Sequence, residues 1–358
     1  MTATSVDEVV LHRVRLPLRR PHVAAHGREE RREVVLVSVA AGGVTGWGEC
    51  PALSTPGYSD ETIDRAWVAL RDELGPALRR TGTVAGGSGP MARGALADAL
   101  LDRSVRAGEA ALPGAAPPVD VVPFGSVVAV DGGVEAVVAA ARDAVAAGAA
   151  LLVVKIRPGW STAPLAAVLD AVDGPVAVDA NGSFGASDLD ELRRLGALGP
   201  AFVEQPAPPA DLPLSARFQA VLDVPIALDE AVADRTDLDR AVAGGAARVL
   251  TVKPARVGGL AAAWDLADRA AAAGWGVHVG GMLESGLGRA TARRLAARGD
   301  VIGPGLVGPT DLLFTDDVVD PVGARADGRI PLPPAGALAP APDPERLARL
   351  TVDRVRVT

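Results

Sequence analysis

Strand-length runs of apolar and polar positions occupy residues 8–18, 33–41 and 44–49, and Gly42-Gly43 predicts a tight hairpin between the second and third. Helical patterning follows over 62–74 and 91–107, across a Gly-rich connection at 82–90. A Pro/Ala stretch at 113–118 marks a domain boundary. Beyond it the pattern changes. Short β-branched runs at 121–130, 151–156, 176–179, 202–204, 226–229, 249–253, 276–279 and, less clearly, 301–306 alternate with Ala/Leu/Arg helices. That order predicts a parallel barrel rather than an open sheet. From about residue 321 the alternation stops, and a last run at 350–357 is placed to return as a strand to the first domain. The expected division is an α+β unit over 1–118, a barrel over 119–320 and a returning segment over 321–358.

The 358 residues are 49% hydrophobic, enough for a large core. A net charge of −8 argues against nucleic-acid or anionic-membrane partners. No apolar stretch free of charges reaches membrane-spanning length, and residues 1–11 lack the basic start and apolar run of a secretion signal. The lone Cys50 cannot form an intrachain disulfide, which fits a cytoplasmic location. Of 36 basic residues only Lys155 and Lys253 are lysines, and Asn181 is the single asparagine. The wealth of Ala, Arg, Gly and Pro suggests a GC-rich genome in which arginine replaces lysine wherever charge alone matters. A lysine retained under that pressure points to a place where arginine, which does not give up its proton, cannot substitute; the bland alternative is that the two escaped by chance.

Both lysines end barrel strands. So do Asp179, Glu204 and Asp229, spaced 25 residues apart, with Lys253 a further 24 on. This is the length of one β/α unit, and it sets the five side chains at one height at the C-terminal mouth, where barrel active sites lie. Three converging carboxylates repel one another unless a hard cation neutralises them, which predicts Mg²⁺ or Mn²⁺ held by Asp179, Glu204 and Asp229. The bland alternative is that each acid caps a helix or pairs with an arginine. A substrate carboxylate at such a cation would lie between two amines, poised to remove the neighbouring proton. Burial and nearby cations would depress the lysine pKa values. A lone strand histidine such as His278 reads as core.

The chain resembles the muconate-cycloisomerase-like subgroup of the enolase superfamily, and within it the o-succinylbenzoate synthases and N-succinylamino acid racemases. The resemblance rests on Gly46-Trp47-Gly48-Glu49-Cys50, Pro56-Gly57-Tyr58-Ser59, Lys155-Ile156-Arg157-Pro158-Gly159-Trp160, Val178-Asp179-Ala180-Asn181-Gly182 and Val203-Glu204-Gln205-Pro206. It continues through Leu228-Asp229-Glu230, Lys253-Pro254-Ala255-Arg256-Val257-Gly258-Gly259 and Gly281-Met282-Leu283-Glu284-Ser285-Gly286-Leu287-Gly288-Arg289. It implies a (β/α)7β TIM-like barrel with an α+β capping domain, whose loops at 21–32 and 51–60 close over the mouth. It implies a small carboxylate as substrate and a homo-oligomer as a possible assembly. Asn181, Glu230, Arg256, Gly281, Met282 and Glu284 become candidates for substrate contact or support. Arg256 would help depress the pKa of Lys253 if it points inward.

Two departures stand out. The subgroup's first strand-two lysine is replaced by Val153, leaving Lys155 as the base, and Lys253 stands on strand six where a mandelate-racemase-type site would have His and Asp. The expected activity is dehydration of 2-succinyl-6-hydroxy-2,4-cyclohexadiene-1-carboxylate in menaquinone biosynthesis. The rivals are N-succinylamino acid racemisation, dipeptide epimerisation, lactone-forming cycloisomerisation and a non-catalytic barrel.

Overall fold

A computed structural model describes residues 5–24, 27–87, 89–114, 119–129 and 132–358. The strands in chain order are β1 (Glu8–Ala24), β2 (Gly27–Ala41), β3 (Val44–Cys50), β4 (Val121–Pro123), β5 (Gly125–Val128), β6 (Leu151–Lys155), β7 (Val176–Asp179), β8 (Val203–Glu204), β9 (Ile226–Leu228), β10 (Val249–Val252), β11 (Gly276–Val279), β12 (Arg329–Pro331) and β13 (Thr351–Val357).

The cap is an antiparallel sheet in the order β13-β1-β2-β3. The helix Pro90–Arg106 packs on it so closely that two glycines are obligatory. A Cβ on Gly46 would lie 2.2 Å from the Ala99 carbonyl oxygen, and one on Gly48 2.0 Å from that of Ala95. The loop expected over 21–32 is instead mostly paired strand. After a register slip between Pro17 and His22, the main chain of His22–Ala24 pairs with Gly27–Glu29. Ladder hydrogen bonds are made by the backbone, so the hairpin runs on where side-chain alternation has lapsed. Its turn, like residues 115–118 of the expected linker and Val130, lies outside the described residues.

Strands β5 to β11 form a parallel sheet in chain order. Residues 301–306 close it through single bridges rather than a ladder. Val301 pairs with Val277 and Gly305 with Phe124, and the Gly125 amide donates to the Gly305 carbonyl at 2.7 Å. The run expected over 121–130 is broken at Pro123, which lacks an N–H. Its first part, β4, pairs antiparallel with β12, so the segment after residue 321 serves the barrel before β13 reaches the cap. Leu151, Val153, Ala177, Phe202, Ala227 and Val249 plug the barrel interior. The ladder pairs Val153 with Ala177, Lys155 with Asp179 and Asp179 with Glu204, which fixes the functional side chains one layer above that plug. Among the described residues no helix is long and apolar enough to cross a membrane.

Candidate active site

The strand ends carry the site because the chain must leave each strand there, and it does so with backbone strain. Asn181 and Gln205, just past Asp179 and Glu204, adopt left-handed φ values of 43° and 37°. The Asn181 amide turns back to Asp179 Oδ1 at 2.9 Å. Gln205 Oε1 accepts from the Asp229 and Ala231 amides at 3.0 and 3.1 Å, which ties the fourth strand's exit to the fifth's.

Each lysine is held by one carboxylate and one neutral oxygen. Lys155 Nζ donates to Asp179 Oδ2 at 2.5 Å and to Asn181 Oδ1 at 2.7 Å. Lys253 Nζ donates to Asp229 Oδ2 at 2.6 Å and to Tyr58 Oη at 2.9 Å, with the amine 4.8 Å from the Tyr58 ring centroid. Behind these, Asn181 Nδ2 donates to Glu230 Oε1 at 3.0 Å. Arg256 Nη2 lies 3.2 Å from Asp229 Oδ1 and also donates to the Asp229 carbonyl. Glu204 stands between the two pairs, buried, and its Oε2 has no hydrogen-bond partner.

This geometry bears on two expectations. Among the described residues no three Asp, Glu, His or Cys side chains are gathered tightly enough to hold a metal as they stand, because Asp179 and Asp229 are each turned onto a lysine. The lysine pKa values also move opposite to expectation. Burial pushes both amines down, but Asp179 with Glu204 at Lys155, and Asp229 together with Tyr58, Glu204 and Glu230 at Lys253, outweigh it, so both are held above the usual range. Arg256 is turned to Asp229. Burial alone would raise that carboxyl, but Lys253 and then Arg256 hold it below its ordinary value. Burial, then Asp179 and Asp229, push Glu204 well up, and burial with the same two acids brings Glu230 to about 7.

The amines face one cavity of about 240 Å³. Asp179, Asn181 and Glu204 line its polar end, and Phe124, Leu306, Leu312 and Leu313 line an apolar wall. Gly281 and Met282 also line it, together with Leu53 and Tyr58 from the cap. Glu284 does not. Its Oε1 accepts from the Met282 amide at 2.8 Å and its Oε2 lies 3.1 Å from Arg289, so it shapes the loop beneath Leu283, whose φ is 57°. His278 is enclosed within the barrel against Phe202, with ring centroids 4.9 Å apart, and burial followed by Lys253 lowers its pKa to about 4. Sequence reasoning missed Tyr58 as a site residue, although its being the only tyrosine in the chain was a visible signal.

A parallel barrel with amines at the ends of β6 and β10 and carboxylates at the strand ends between them defines a class of barrels whose mouth sets buried acids between two lysines. Residues 136–338 match the family described as Enolase C-terminal domain-like, and residues 6–112 match the Mandelate racemase / muconate lactonizing enzyme N-terminal domain. The chain belongs to the enolase superfamily, as a member of the muconate-lactonizing-enzyme type. It is 33% identical to an N-succinylamino acid racemase of an Amycolatopsis species, over 97% of this chain and 98% of that one. It is 31% identical to an o-succinylbenzoate synthase of Geobacillus stearothermophilus, over 98% and 96%. Among solved structures it is similar to a probable mandelate racemase from Alicyclobacillus acidocaldarius, with a TM-score of 0.87, 32% identity and 99% of each chain covered.

Proposed function

We propose that this protein is an o-succinylbenzoate synthase, removing water from 2-succinyl-6-hydroxy-2,4-cyclohexadiene-1-carboxylate. The observation that carries the reading is that Lys155 and Lys253 face one cavity of about 240 Å³ with Glu204 between them and an apolar wall beyond. Asp179, Glu204 and Asp229 would hold Mg²⁺ or Mn²⁺. The fit rests on three neighbouring buried carboxylates, all oxygen donors, one with an oxygen that nothing else satisfies. When bound, the cation would draw charge from the substrate carboxylate and so acidify the adjacent C–H.

Asp179 and Asp229, once engaged as ligands, would no longer neutralise the lysines, and burial would then push Lys155 toward its neutral form. Lys155 takes the ring proton and passes it to the departing hydroxyl, which leaves as water while the ring becomes aromatic. Lys253 stays protonated and balances the charge that develops. Incubation of purified protein with this substrate and Mg²⁺ tests the reading. Formation of o-succinylbenzoate no faster than the uncatalysed rate rejects it.

A second reading, N-succinylamino acid racemase, is favoured by one feature: Lys253 is furnished with partners as fully as Lys155. Two bases on opposite faces of one carbon are what racemisation requires. Deuterium uptake at Cα of N-succinyl amino acids, with interconversion of the isomers, distinguishes it. Either activity takes a small carboxylate in the cytoplasm, and self-association remains part of the proposal.

A further inference from the structure

Lysine, asparagine and tyrosine are all encoded by codons rich in A and U, and this chain has almost discarded them. In 358 residues it keeps two lysines, one asparagine and one tyrosine. All four meet in the same site. Lys155 Nζ lies 2.7 Å from Asn181 Oδ1, and Lys253 Nζ lies 2.9 Å from Tyr58 Oη. The single cysteine shows that rarity alone does not lead there, since Cys50 is buried in the core of the cap.

From this coincidence of composition and geometry we infer that Asn181 and Tyr58 are a matched pair of positioning residues, each dedicated to one lysine and so to one face of the substrate. The inference deepens the racemase reading and rests on it for the chemistry, though not for the pairing itself. Asn181 is fixed from behind, because its Nδ2 donates to Glu230 Oε1 at 3.0 Å. That bond presents the amide oxygen to Lys155. Its left-handed φ of 43° is one that asparagine tolerates better than most residues. Tyr58 arrives from the cap, with its hydroxyl 3.1 Å from Asp229 Oδ2 and its ring beside the ammonium. Where a cation takes up Asp179 and Asp229, as proposed above, a neutral partner is left to steer each amine in both protonation states, whereas a carboxylate would keep it charged. The two holders come from different parts of the fold, so the lysines can be perturbed separately.

Two substitutions isolate the contacts. Asn181→Gly keeps the φ value and the backbone N–H that reaches Asp179 while deleting the amide. Tyr58→Phe keeps the ring and deletes the hydroxyl. Because the chain holds only two lysines, protein labelled with [ε-¹³C]lysine gives two side-chain signals, which Lys155→Met and Lys253→Met assign. The expected result is that Asn181→Gly moves only the Lys155 signal and Tyr58→Phe only that of Lys253. Both signals moving together in each variant, or neither moving, overturns the pairing. If Asn181→Gly does not fold, Asn181→Asp serves in its place. It keeps the acceptor, so it leaves the Lys155 signal within the site's dispersion, and collapse of that signal to the free-lysine position counts against the inference.

The second arm follows α-deuterium exchange of N-succinyl-L- and N-succinyl-D-phenylalanine with Mg²⁺. Each substitution should slow one enantiomer by about tenfold, the scale of one neutral hydrogen bond, and spare the other. Equal slowing of both overturns the division by face. Native protein that exchanges neither enantiomer defeats the racemase reading, while the lysine spectra still decide the pairing.

Discussion

At the scale of single residues the site depends on chemistry that charge alone cannot replace. Lys155→Arg keeps the cation but would remove the base proposed above, so kcat should fall by about a thousandfold while the circular dichroism spectrum stays native. Glu204 is a buried acid with one oxygen that no hydrogen bond satisfies, and a bound cation would relieve it. Added Mg²⁺ should therefore raise the melting temperature, with a gain of about 2.7 kcal/mol at a hundredfold excess over Kd, and Glu204→Gln should abolish most of that rise in a thermal-shift titration. The five strand-end residues were legible because the β/α unit repeats with nearly constant length, and a repeat is a property of sequence. Tyr58 was not nameable as a partner of Lys253, because 195 positions separate them and only docking of the cap brings them together. Val153 read as a missing charge. In the structure it is part of the barrel's plug, which explains how the position is filled but supplies no substitute for the charge.

At the scale of elements, the cap grips the barrel by capping its helices. Glu49, from β3, accepts from the Ser285 and Gly288 amides at 2.9 Å, at the start of the helix Gly286–Ala296. Asp98 accepts from the Leu260 amide at 2.8 Å, at the start of Leu260–Ala272. Burial raises both carboxyls to about 7. The folded protein thus keeps protons that the unfolded chain has already released. The stability these groups lend is complete below the unfolded pKa values and is lost as pH climbs through about 7. The melting temperature should decline between about pH 5 and pH 8, and the double variant Glu49→Gln, Asp98→Asn should flatten that decline. Gly48→Ala tests the sheet–helix contact and should cost about 3 kcal/mol in urea unfolding, because backbone on both sides has no room to retreat. The barrel strands were visible in the sequence as β-branched runs. The continuation of the β1–β2 hairpin was not, because main-chain pairing leaves no mark on side-chain pattern.

At the scale of the whole molecule, Arg32 is among the side chains that join cap and barrel around the cavity. Arg32 is fully buried and donates to the carbonyls of Pro51 and Ala52 in the cap and of Met282 and Leu283 at the barrel mouth. Arg32→Met would remove the donor from all four carbonyls, three of them in buried bonds. The 51–60 loop should then become sensitive to limited proteolysis, and KM should rise more than kcat falls.

The pairing of β13 with β1 has a consequence for how the protein is made. Strands β1 to β3 of the cap are translated before the barrel and β13 after it, so the cap sheet is completed only once the barrel has been made. Until then β1 offers a bare edge to any neighbouring strand, so nascent chains stalled short of residue 351 should be the ones that chaperones retain.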